Sequence, residues 1–155
     1  MGTAAERVTA PKRRRGAKTF FANSPLTFLD LGDSARTIEL IRKGLPAETI
    51  DYVAGLLSLS RAALLEAIKV PASTVERRLR VGEALSAEES DRVSRVAKVV
   101  RRSVEVFGDD TQGKAWMTDT ISSLGAKTPL SLLDTMEGYE LVMTTLARIE
   151  YGVYA

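Results

Sequence analysis

The chain has neither cysteine nor histidine among its 155 residues. The first absence excludes disulfides, thiol nucleophiles and thiolate metal sites. The second removes the commonest general base and the commonest nitrogen ligand for metals. No glycine-rich phosphate loop, paired-metal motif or nucleophile elbow takes their place. The expectation is therefore a protein that is not an enzyme, with no cofactor and no metal site. Long apolar runs are also missing: nothing approaches the roughly 20 residues that span a bilayer. The basic N-terminus lacks the apolar stretch of a secretory signal, so a cytoplasmic protein of bacterial type, without a membrane partner, is expected.

What remains is ordinary core material, 45% apolar, carrying an uneven charge. The net +2 hides six basic side chains against one acid in residues 1–20, ten against six in 61–102, and three against eight in 103–155. Such a gradient suggests different partners for different segments. Residues 1–18, with the run Lys12-Arg13-Arg14-Arg15, show no apolar periodicity and read as a flexible basic arm, either solubilising or phosphate-seeking. Residues 19–45 open on an aromatic cluster, Phe20, Phe21 and Phe28. It is too apolar for water and serves as a cover over the core or as a dimer contact.

From residue 34 onward the periodicity is helical and no strand-length alternation competes with it. Ser34 is expected to cap "ARTIELIRKG", with Ile38, Leu40 and Ile41 on one side and Gly44 as the stop. Pro46 suits the first turn of "PAETIDYVAGLL". "SRAALLEAIK" and "ASTVERRLRVG" follow, separated by Val70-Pro71. Ser86 and Glu89 have capping-box spacing ahead of a long helix with the stripe Val93, Val96, Ala97, Val100, Val104 and Phe107. The last third reads as a helix near "TQGKAWMTDTIS", a short one in "LSLLDT" and a final one from Glu137 to Glu150. Trp116, Leu130, Leu132 and Leu133 are expected in the core.

Residues 60–80 have the form helix, tight turn, helix. On a wheel of 100° per residue, Ala72, Val75 and Leu79 share one face, which is read as core. Ser73, Thr74 and Arg77 lie opposite, with Arg78 and Arg80 on the shoulders. Small hydroxyls near a helix N-terminus approach base edges, and arginines suit guanine or phosphate. Arg61 and Lys69 are placed to hold the DNA backbone. The plainer alternative is a solvated arginine-rich face. Two features depart from the usual motif: Lys69 stands where glycine often makes the turn, and Pro71 where a serine often caps the second helix.

The chain finishes on "RIEYGVYA". After Glu150 it offers Tyr151, Val153 and Tyr154 with no charged side chain, whereas chain ends are usually polar and frayed. From the residues alone, these tyrosines fold back on their own domain or present a contact to another molecule.

The stretch "LSAEESDRVSRVAKVV", followed by "AWM", "SLGAKTPLSLLDTMEGYELV" and "LARIEYGVYA", resembles the MbcA/ParS/Xre antitoxin family, over roughly residues 50–155. Trp116, the segment Thr128–Leu133, Gly138 and the terminal motif stand in the family's order. The resemblance implies an all-α fold, with an Xre-like helix-turn-helix domain at 46–108 and a toxin-binding domain at 109–155. It implies an antitoxin that neutralises a RES-domain, NAD-depleting toxin by placing its C-terminal tail over the NAD site. Arg148, Glu150, Tyr151, Gly152, Val153, Tyr154 and Ala155 would be the residues in contact. Binding of operator DNA as a transcriptional repressor, and a homodimer within a larger toxin-antitoxin complex, complete the expectation. A helix-turn-helix regulator without a toxin partner is the alternative.

Overall fold

In a computed structural model of the chain, which describes residues 19–152, the long helix foreseen at the centre is the element around which the others are arranged. Seven α-helices follow one another: α1 (Ser34–Lys43), α2 (Thr49–Leu56), α3 (Arg61–Ile68), α4 (Ala72–Val81), α5 (Ala87–Phe107), α6 (Asp110–Trp116) and α7 (Met136–Glu150). The fold is all-α, and the β structure among the described residues is an isolated bridge between Ile121 and Lys127.

Helix α5 begins at a complete capping box. Ser86 Oγ accepts from the Glu89 amide at 3.1 Å, and the Glu89 carboxylate accepts from the Ser86 amide at 3.0 Å. Gly108, in the left-handed region, ends it. The expected stripe is wider than four valines, an alanine and a phenylalanine. Val99, Ser90, Ser94, Arg95 and Ser103 are buried as well, because α1, α2, α6 and α7 all pack on this one helix. Each fully buried valine contributes about 1.5–3 kcal/mol. The small hydroxyls serve close approach. Ser90 Oγ accepts from the Leu45 amide at 2.9 Å, fastening the α1–α2 connection, and Ser103 Oγ donates to the Gly113 carbonyl at 2.5 Å. A Cβ at Gly113 would stand 2.5 Å from Val104 Cα, so α6 can lie this close to α5 only as glycine.

Several expected boundaries move. Asp33, not Ser34, caps α1, its carboxylate accepting from the Arg36 amide at 3.0 Å; Ser34 is the first helical residue. Of the expected apolar side of α1, Ile38 is exposed while Leu40 packs on the core. Pro46 and Ala47 form a turn, and α2 starts at Thr49. Helix α6 stops at Trp116, and "LSLLDT" makes only a 3-10 turn at Leu130–Leu132. Thr135 caps α7 by accepting from the Gly138 amide. Trp116, Leu130 and Leu133 are buried as expected, and Leu132 packs against the core.

The aromatic segment is a cover. Phe21, Leu26, Phe28 and Leu29 are buried, the Phe21 amide donates to Asp30 at 2.7 Å, and the Arg101 guanidinium of α5 sits 5.4 Å over the Phe21 ring while donating to the Leu29 carbonyl. Phe21 and Phe28 are thus buried in the chain's own core. Leu31, at 72% exposure, is the apolar side chain this segment leaves outside. The basic arm of residues 1–18 lies outside the described residues.

Candidate DNA interface and the exposed face of the last helix

Helix α3 ends in a turn that explains how a lysine takes the place of glycine. Lys69 has φ 60° and ψ 42°; its amide donates to the Glu66 carbonyl, and the Val70 amide reaches back to Leu65 at 3.0 Å. This is the pair of hydrogen bonds of a Schellman motif, closed by the buried contact partners Leu65 and Val70. A left-handed lysine costs about 1–2 kcal/mol. Compensation comes from Arg92 of α5, whose Nη1 donates to the Lys69 carbonyl at 2.9 Å and to Ile68 at 3.4 Å. Pro71 then enters α4 in extended geometry without a side-chain cap.

On α4, Val75 is fully buried and Leu79 packs on the core, but Ala72 is exposed, contrary to the wheel. It belongs to the first turn, ahead of the contact with α3. Ser73 and Arg80 are exposed, Thr74 is partly so, and Arg77 is half-exposed with a 2.7 Å pair to Glu83. Arg61 grips Asp51 through Nε and Nη2 at 2.7 and 2.8 Å, a bidentate pair that raises its pKa. Lys69 is exposed.

Arg78 behaves differently. Its side chain is 14% exposed, its Nε lies 2.9 Å from Glu89, its Nη1 donates to the Ala84 carbonyl at 3.2 Å, and Glu83 stands at 3.4 Å. Its expected place on a DNA-facing shoulder is corrected: it ties the last turn of α4 to the first of α5. Glu89 and Arg92, both missed as site residues, hold the unit together. Their spacing on α5 puts them on one face, but their partners lie eleven and twenty-three residues away, beyond any local pattern.

At the other end, α7 exposes Glu137, Glu140, Leu141, Thr144 and Arg148, a stripe at helical spacing that continues into Tyr151, 66% exposed, and Gly152. Tyr151 does not fold back on its domain. Glu150 is committed inward to Arg102, with Glu105 at 3.6 Å from the same guanidinium; this hydrogen bond raises the Arg102 pKa. Its expected outward contact is thus used within the chain. Val153, Tyr154 and Ala155 lie outside the described residues. Between α5, α7 and the N-terminal turn runs a cleft of about 320 Å³ bordered by Lys98, Arg101 and Tyr139. Burial raises the Tyr139 phenol, with Arg101 and Arg95 opposing.

Comparisons with known proteins match this geometry. The family model described as the antitoxin Xre-like helix-turn-helix domain covers residues 36–98, and that of the antitoxin Xre/MbcA/ParS C-terminal toxin-binding domain covers 103–152. An antitoxin Xre of Yersinia enterocolitica is 33% identical over 120 residues, 76% of this chain and 80% of that protein. A Prs ADP-ribosylating antitoxin of Sphingobium is 29% identical over 127 residues, 76% and 80% of the two chains. An antitoxin Xre of Photorhabdus laumondii is 30% identical over 115 residues, 74% and 78%. The first model starts inside α1, so α1 belongs with the helix-turn-helix unit. Among the described residues no helix is long and apolar enough to cross a membrane.

Two outcomes follow from these contacts. Arg78→Ala leaves the Glu89 carboxylate with only the Ser86 amide as partner and lowers unfolding free energy in urea by about 2–3 kcal/mol, whereas Arg80→Ala stays within about 0.5 kcal/mol of wild type. Tyr139 keeps its proton to higher pH in the fold than in the unfolded chain, so above its ordinary value of 10.0 the unfolded state binds fewer protons and stability falls as pH rises. Tyr139→Phe should flatten that decline in urea midpoints measured from about pH 9 to about pH 11.

Proposed function

This chain belongs to the Xre/MbcA/ParS antitoxin family, and we propose that it neutralises a RES-domain toxin that consumes NAD, by laying its C-terminal segment over the toxin's dinucleotide site. The observation that carries the proposal is the outward α7 stripe ending in Arg148 and the exposed Tyr151. An aromatic side chain with a polar tip suits a cleft that is apolar inside and polar at its mouth. Arg148, Tyr151, Gly152, Val153, Tyr154 and Ala155 are the contact residues. Glu150 acts indirectly, holding the last turn of α7 against Arg102. Occlusion requires no catalytic group on the antitoxin, so the chain works without enzymatic activity and without a cofactor.

The same chain binds operator DNA through α4 and represses its own operon. Ser73, Thr74, Arg77 and Arg80 face the major groove, and Arg61 and Lys69 hold phosphates. Arg61 and Arg77 release Asp51 and Glu83 to do so; both pairs are solvent-exposed and weak. Homodimerisation sets two recognition helices on half-sites one DNA turn apart. The protein works in the cytoplasm, where both the toxin's NAD and the operon are found.

Deleting Tyr151–Ala155 tests the neutralising role. Co-expression with the toxin should then become lethal and NAD should fall, while the truncated chain keeps the far-ultraviolet circular dichroism of the full one. Full protection by the truncated chain would overturn the proposal.

A further inference from the structure

We infer that Arg92 is the positioning residue of the DNA-reading unit, holding the α3–α4 turn in the geometry that aims α4, without itself reading DNA. This rests on the DNA-binding role proposed above. The turn contains no glycine, and its left-handed residue is Lys69. Left-handed backbone is unfavourable for a lysine, and the last carbonyls of a helix have no partner within it. The Arg92 guanidinium supplies both needs. It donates to the Ile68 and Lys69 carbonyls and puts positive charge at the C-terminus of α3, where the helix dipole favours it. One turn earlier on the same face of α5, Glu89 holds Arg78, on the last turn of α4. One face of α5 therefore holds both the last turn of the recognition helix and the turn that leads into it. Hydrogen bonds to base edges tolerate little misplacement, so loosening the leading end costs discrimination before it costs general attraction to phosphate.

The test uses the full chain and compares wild type, Arg92→Gln, Lys69→Gly and the double variant. A glycine at 69 takes the left-handed geometry freely, so it should make the turn independent of Arg92. Fluorescence anisotropy is read on a duplex from immediately upstream of the protein's own reading frame and on a scrambled duplex of the same composition. Arg92→Gln should lose about tenfold of the preference for the upstream duplex while binding the scrambled one almost as before. The double variant should return to within about twofold of Lys69→Gly alone. Hydrogen exchange needs no DNA: amides of residues 69–75 should exchange faster in Arg92→Gln and slow again in the double variant. Equal loss on both duplexes without rescue by glycine would make Arg92 a direct phosphate contact and overturn the inference; so would unchanged exchange at the turn. A wild type with no preference between the duplexes removes the DNA-reading role, and the exchange result then decides the turn by itself.

Discussion

Helix α5 is the constraint on which everything else depends. A run of 21 residues is about 30 Å long, the width of a small domain, and most of its length is buried on more than one side. Val93, Val96, Ala97, Val99 and Val100 are at zero exposure. An α-helix normally needs a single apolar stripe and turns its other face to water. Here β-branched side chains and small hydroxyls fill that other face. Helices α1 and α2 of the helix-turn-helix unit pack on it, and so do α6 and α7. The two matched family models meet inside it, one ending at residue 98 and the other starting at 103. The helix-turn-helix unit and the C-terminal domain thus share one core element.

The charges are arranged around this helix in two classes. Arg92, Arg101 and Arg102 of α5 each bind a carboxylate or a carbonyl from another part of the chain, namely the α3 turn, the N-terminal cover and the end of α7, respectively, and Arg78 at the end of α4 binds Glu89 of α5. They fasten the surrounding elements onto α5. Lys69, Arg80 and Arg148 are left outside. The acidic balance of residues 103–155 also has a local origin: Glu105 and Glu150 flank Arg102, so part of that charge is neutralised before any partner arrives.

Much of this was legible from residue patterns, because a helical protein advertises its elements through the 3.6-residue period and its caps. Ser86 with Glu89, and the stop at Gly44, lie where expected, and so does the helix, turn, helix of residues 60–80. Misplaced features have physical reasons. Asp33 and Ser34 are adjacent capping residues, and sequence does not say which carbonyl starts the helix. Arg78 and Arg80 sit on the two shoulders of the wheel with Arg77 between them, and the wheel does not say which shoulder turns inward. What draws Arg78 inward is Glu89, which local periodicity does not pair with it. The aromatic segment could be matched to its own core only by knowing that Arg101, 72 residues past Leu29, closes over it. Tail residues are legible through family resemblance alone, since nothing in their composition names the surface they meet.

A shared core makes a specific demand: the two halves should unfold together. The most direct measurement is urea unfolding of the full chain followed by two local probes, Trp116 fluorescence for the C-terminal half and hydrogen exchange at the Leu64 and Val75 amides for the helix-turn-helix half. One shared central helix predicts the same unfolding free energy and midpoint from both. A half that melts first, leaving the other intact with its own midpoint, would contradict it.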